Sequence, residues 1–412
     1  MKLQEKEISA YEAEHQNIAE RLMREMPPFK EAERFLELVQ AHFSLAARRV
    51  QHPKVIVLGS SFPEELIHAF GITPYWVLGG SLQTGAWAGE LAPRDADPVS
   101  RSILGLMLGI EESVRDTLIL LPIVSDSTRK LAYLLRRAGL KVHALDIPPR
   151  KTKAAVTKYQ QQMELCAEVL SRHTGKRLTR RAFRDAAGLV AQAHDEIRRF
   201  LRLNQEHPAC MTAPWRMLIL FSYYCAGDIQ IWTEMLARLN DHLEVDRTYQ
   251  PRPAGGKVLL MGSPIYFPNY KIPFLLQDVG LNVAAHLDYT AQKAEAAMTL
   301  EQSIGAALSS LARRFYLFDC SGSYAINVAL QRAAKEILEK QEIDGVVYCV
   351  LKGQIEYDFE LERVEELCAR ENIPVFRLET DYSQQDVEQL RIRMEAFSEM
   401  LRQRQYQKGV AV

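Results

Sequence analysis

Short apolar runs rich in β-branched residues, each closed by a glycine, a proline or a polar turn, alternate with helix-length stretches over most of this chain. That alternation constrains the fold more than any other feature. KVIVLG (54–59), TPYWVLG (73–79), TLILLPIV (117–124) and KVHALDIP (141–148) form a first set of such runs. KVLLMG (257–262), LNVAAHL (281–287), GVVYCVLKG (345–353) and PVFRLET (374–380) form a second. Runs that are apolar throughout suit strands buried on both faces. Strands joined through helices imply right-handed crossovers and mainly parallel sheets.

The expected fold class is therefore α/β, with two flavodoxin- or Rossmann-like parallel-sheet domains. Residues 1–50 read as a helical N-terminal segment, with Phe35, Leu36, Val39, Phe43 and Leu45 at helical spacing. Residues 51–150 form the first α/β domain, 151–250 a helical region and 251–412 a second α/β domain. YQPRPAGGK (249–257) reads as a linker. The last domain closes on a helix that places Val387, Leu390, Met394, Phe397 and Leu401 on one face. After the first strand, Ser61 and Glu64 have the spacing of a capping box, and Gly71 reads as a helix stop.

A formal net charge of -1 gives no basis for nucleic acid or an anionic membrane as partner. No apolar run approaches the roughly 20 residues that span a bilayer. The first residues lack the apolar core of a secretory signal, so a cytoplasmic location is expected. Cys166, Cys210, Cys225, Cys320, Cys349 and Cys368 make no CxxC pair. They read as reduced, mostly buried thiols. A metal centre built from Cys225, Cys320 and Cys349 is the alternative, and no metal ligand is otherwise expected. The histidines form no i, i+4 pair, although His68 and His286 fall near the presumed strand-end face.

In open parallel sheets, ligands bind beyond the carboxyl ends of the strands. Three such ends carry small or polar residues: Ser125 and Asp126, Ser263 after Gly262, and Gly353 with Gln354. Each also suits a plain cap or turn. A helix starting near Ser61 would offer backbone N–H groups to an anion. Gly79-Gly80-Ser81 could let a ligand approach closely, and a turn serves equally well there. No GxGxxG or P-loop motif is present.

FPEELIHAFGITP (62–74), DPVSRSILGLMLG (97–109), SDSTRKLAYLLRR (125–137), the Gly262-Ser263-Pro264 turn and ETDYS (379–383) together resemble the 2-hydroxyacyl-CoA dehydratase and benzoyl-CoA reductase subunit family. The resemblance spans roughly residues 50 to 400. It implies cysteines, which hold an iron–sulfur cluster in the family, at the positions occupied here by Asp97, Ser125, Ser263 and Gly353, with Gln354 the other choice for the last. Serine and aspartate oxygens are hard ligands, whereas such clusters take thiolates.

The resemblance also implies a two-subunit complex that binds an acyl-CoA thioester and takes one electron from an ATP-dependent activator. On this basis the chain is expected to lack its own cluster. A [4Fe-4S] cluster is expected in a homologous partner subunit of a heterodimer, with a homodimer as the other assembly. Ser60, Ser61, Gly80, Ser125 and Ser263 are the candidate substrate contacts. A non-catalytic binding or scaffold protein that keeps the fold is the alternative function.

Overall fold

The computed structural model describes residues 3–50, 52–93, 95–206, 211–245, 256–287, 303–322 and 324–410. In chain order the first part runs α1 (Glu5–Arg24), α2 (Glu31–Phe43), α3 (Leu45–Val50), β1 (Val55–Leu58), α4 (Glu65–His68), β2 (Tyr75–Val77), α5 (Leu82–Trp87), α6 (Pro98–Gly109), α7 (Glu111–Val114), β3 (Leu118–Ile123), α8 (Asp126–Arg137) and β4 (Lys141–Asp146). Four helices follow: α9 (Lys153–Thr174), α10 (Arg180–Glu206), α11 (Ala213–Ser222) and α12 (Ile229–Val245). The remainder comprises β5 (Lys257–Gly262), α13 (Lys271–Asp278), β6 (Asn282–Leu287), α14 (Ile304–Phe318), α15 (Val328–Lys340), β7 (Gly345–Leu351), α16 (Ile355–Arg370), β8 (Val375–Thr380) and α17 (Val387–Val410). The expected linker falls almost wholly outside the described residues.

Two four-stranded sheets result, ordered β2-β1-β3-β4 and β6-β5-β7-β8, with every described pairing parallel. The two-domain α/β reading holds. In each sheet the chain moves first to one side of the opening strand and then to the other. The switch points lie between β1 and β3 and between β5 and β7, where such sheets open a crevice. Pro122 lies near the end of β3, beyond the last residue paired with β1, so β1 needs no N–H from it there.

β1, β3 and β7 are buried along their whole length, as their apolar runs predict. Alternate residues of β5 and β7 divide between two cores. Val258, Leu260, Val347 and Cys349 join the large core that also holds the first sheet and α9–α12. Leu259, Met261, Val346 and Tyr348 pack under α15 and α16. Leu390, Met394, Phe397 and Leu401 of α17 are buried, as their spacing predicts. Phe267, just past β5, meets Phe43 with ring centroids 5.0 Å apart, so the second half is seated on the N-terminal helices.

The segment after β1 departs from expectation. α4 has only four residues, and no side chain caps it. Pro63 biases Phe62 away from helical backbone, so the turn cannot start at Ser61. The Glu64 carboxylate instead accepts a bond from the Tyr223 hydroxyl at 2.7 Å. Gly71, at φ +69, ends the segment as its position predicts.

Candidate functional site

The carboxyl ends of β1 and β3 face the segments that leave β5 and β7, and a cavity of about 70 Å³ lies between them. Leu58, Gly59, Ser60 and Ser61 line it from β1, and Pro122, Val124 and Ser125 from β3. Pro264 and Tyr266 approach after β5, and Gln354 and Glu356 after β7. The cavity thus lies at the switch points of both sheets.

The hydroxyls are set by local structure. Ser60 Oγ lies 3.2 Å from the Tyr266 hydroxyl and ties the two halves together. Ser125 is the N-cap of α8, its Oγ accepting from Thr128 N at 3.2 Å, while Thr128 Oγ1 accepts from Ser125 N at 2.9 Å. The cap reading and the site reading of Ser125 therefore coexist in one residue. Ser61 is buried at the cavity wall, but the helix N-terminus expected beside it for an anion does not form.

Asp97 occupies the N-cap of α6. Its carboxylate accepts from Ser100 Oγ at 2.6 Å, Gln354 Nε2 at 2.8 Å and the backbone N–H groups of Val99 and Ser100 at 3.1 Å each. Burial pushes the Asp97 carboxyl above its ordinary value, and these four bonds oppose that shift. Glu356 stands in the first turn of α16, with its Cγ against Gly322. Burial, with a smaller contribution from the nearby Asp97 charge, raises its carboxyl to about 7. Sequence reasoning missed Glu356, because an acid in a first helical turn is the commonplace partner of a helix dipole.

The other predicted residues serve the architecture around the cavity. Ser263 Oγ accepts from Leu351 N at 2.9 Å, joining the ends of β5 and β7, and the serine does not line the cavity. Gly353, at φ +85, brings its backbone against the Asp95–Asp97 loop: a Cβ there would sit 2.9 Å from Asp97 N. Gly80, at φ +98, is pressed against the backbone of Tyr266 and Phe267 rather than against an open pocket. Among the four positions matched to family cysteines, Asp97 and Ser125 reach the cavity, while Ser263 and Gly353 brace it. None presents a thiolate, and the oxygens of Asp97, Ser125 and Ser263 are engaged in internal bonds, so this donor set does not fit an iron–sulfur cluster.

The described cysteines do not gather at this site. Burial pushes the Cys349 thiol up to about 12 and the Cys368 thiol up to about 11. Cys225 lines a different cavity, beside Tyr11 and Trp76. Cys210 lies outside the described residues. No group of three or more His, Cys, Asp or Glu residues among the described residues is placed to hold a metal ion. His68 belongs to α4, and burial lowers its pKa. His286 lines a separate cavity at the edge of the second sheet.

A larger groove of about 720 Å³ opens on the other side of the segment that carries Asp97, within the range typical of ligand sites. Ala96, Pro98 and Arg101 line it, facing Asp381, Tyr382 and Ser383 of the second half. Arg101 donates to the carbonyls of Ala92, Pro93 and Gly85, which fixes the 85–93 turn. Glu14 of α1 accepts bonds from Ser81 Oγ and from Leu82 N at 2.8 Å, holding the start of α5.

A sequence model of the family described as 2-hydroxyglutaryl-CoA dehydratase, D-component, matches residues 60–401. Two relatives add to this. YjiM of Escherichia coli (strain K12), whose name assigns it provisionally as a dehydratase subunit, is 26% identical over 266 residues, 63% of this chain and 68% of its own length. The (R)-phenyllactyl-CoA dehydratase beta subunit of Clostridium sporogenes is 22% identical over 345 residues, 82% of this chain and 89% of its own. Among the described residues, no helix is long and apolar enough to cross a membrane.

Proposed function

The chain belongs to the 2-hydroxyglutaryl-CoA dehydratase D-component family, and we propose that it is the subunit of a 2-hydroxyacyl-CoA dehydratase type complex that carries no iron–sulfur cluster of its own. A homologous, cysteine-bearing subunit then holds the [4Fe-4S] cluster, and the electron supplied by an ATP-dependent activator is delivered to that subunit. One observation carries this reading. At the cavity between the two sheets, the matched positions that line it offer a carboxylate held by four donors and a hydroxyl that caps a helix, and no thiolate.

In this reading the chain binds and orients part of an acyl-CoA thioester. The 720 Å³ groove has the size for a ligand of that class, and the smaller cavity behind the 96–101 segment brings a carboxyl, Glu356, to the same side of the sheets. Glu356 holds a proton on its carboxyl. Asp97, fixed by four donors, stands beside it. The cavity at the sheet switch points, with the hydroxyls of Ser60 and Ser125 on its wall, favours a binding role over a bare scaffold.

The test is anaerobic purification of this chain alone and together with a cysteine-bearing homologous subunit. The expected result is no iron or sulfide in the chain alone, and a stable complex whose iron tracks the partner. Stoichiometric iron in the isolated chain would overturn the assignment. A colourless protein that forms no complex and binds no acyl-CoA would favour the scaffold reading instead.

Glu356 supplies a separate expectation. Its folded pKa lies above the ordinary 4.5, so between about pH 4.5 and 7 the folded protein holds a proton that the unfolded chain has released. Its contribution to stability is complete below about 4.5 and is lost as pH rises to about 7. The urea midpoint of the wild type should fall relative to that of Glu356→Gln as pH rises across that window, and the two should run parallel above it. Parallel curves throughout would remove Glu356 as a titrating group.

A further inference from the structure

Away from both cavities already described, a third of about 180 Å³ lies along the edge strand β6, walled by α10, α11 and α15. Arg216 of α11 lines it and is only 4% exposed. One guanidinium nitrogen donates to the Val283 carbonyl of β6. A second, Nη1, is buried with no hydrogen-bond partner. No carboxylate pairs with Arg216 among the described residues, and burial lowers its pKa to about 10.

An isolated guanidinium in such a place is costly unless an anion compensates it. The same cavity holds a second unmet group. Asn204, 5% exposed, donates through Nδ2 to the Phe200 carbonyl at 2.8 Å and leaves Oδ1 without a donor. At the rim, Lys340 is held by Glu336 of its own helix, so the mouth is close to neutral while the floor is cationic.

We propose that this cavity binds a small oxyanion that also carries a hydroxyl, of the hydrogenphosphate or small hydroxycarboxylate class. Its charged oxygen meets Arg216 Nη1, and its hydroxyl donates to Asn204 Oδ1. Planar, forked donors of this kind suit such oxyanions. The site shares no residue with the cavity at the switch points or with the groove, so it is independent of the dehydratase reading. A ligand here bridges the helical region to the second sheet and ties that interface to the concentration of the anion.

Calorimetric titration of the full chain with inorganic phosphate, with lactate and with acetate, at matched ionic strength in chloride, tests this. Phosphate or lactate should bind one to one, and acetate more weakly for want of a donor. Arg216→Met keeps the volume and removes the charge, and should weaken binding at least about tenfold, as loss of a charged hydrogen bond does. Asn204→Leu keeps the arginine and should narrow the gap between lactate and acetate. This second comparison stands even where Arg216→Met fails to fold. No saturable heat with any of the three, or affinity unchanged in both variants, would overturn the proposal.

Discussion

Gly80→Ala should destabilise the protein by roughly 3–5 kcal/mol, whereas Gly59→Ala should cost only about 1–2. Both glycines have positive φ, +98 and +80, so both substitutions strain the backbone. They differ in what surrounds them. A Cβ on Gly59 meets nothing within 4 Å. A Cβ on Gly80 would lie 2.3 Å from the Phe267 carbonyl oxygen and 2.8 Å from that of Tyr266. These are main-chain atoms, held by the packing of Phe267 on Phe43 and by the Tyr266 contact with Ser60. The neighbour cannot rotate away, so the two halves must separate or the turn must shift. Urea midpoints of the two variants give the comparison directly. Equal losses would mean that the 266–267 segment yields easily and that the cavity between the sheets is not held at this point.

That contrast also explains what the sequence could and could not tell about this site. Gly79-Gly80 marks a place of close approach, and close approach is what the structure has. Whether the approaching group is a ligand or another stretch of main chain depends on residue 267, nearly two hundred positions away. The same holds for Ser263. A small polar residue at a strand end is legible, but its use against Leu351 N is a tertiary fact.

All eight runs are strands. The central ones are legible because burial on both faces demands a continuous apolar run. The part-exposed edge strands β4 and β8 carry charged residues and are legible from their β-branched and apolar positions between turns. The short α4 departs from the Ser61 and Glu64 spacing because Pro63 lies between them. Glu64 was then unavailable as a capping residue because Tyr223, from a distant helix, takes its carboxylate. Glu356 left no trace in the sequence, since its environment comes from Asp97 and Gly322, brought together only by folding.

Lys271→Met should cost about 3–5 kcal/mol and should also weaken any ligand held in the groove by the 381–383 turn. Lys271 opens α13, and its side chain is 1% exposed. Its three ammonium donors are all spent: on the Asp381 carbonyl at 2.9 Å, the Ser383 carbonyl at 2.6 Å and Asp386 Oδ1 at 2.6 Å. Methionine fills similar space but leaves two carbonyls and a largely buried carboxylate without their partner. Asp386 Oδ2 keeps its bond from Thr380 Oγ1 at 2.6 Å, so the acid stays in place with its charge uncompensated. Adding Asp386→Asn should therefore restore part of the loss. The recovery cannot be complete, because the carbonyls of Asp381 and Ser383 remain unmet. Asp381, Tyr382 and Ser383 form one wall of the 720 Å³ groove, so the same lysine that stabilises α13 also fixes that wall. Chemical denaturation of the two single variants and the double variant measures the coupling, and acyl-CoA titration of Lys271→Met measures the effect on the wall. Additive losses in the double variant would show that lysine and aspartate act independently, and unchanged acyl-CoA affinity would separate this turn from the ligand site.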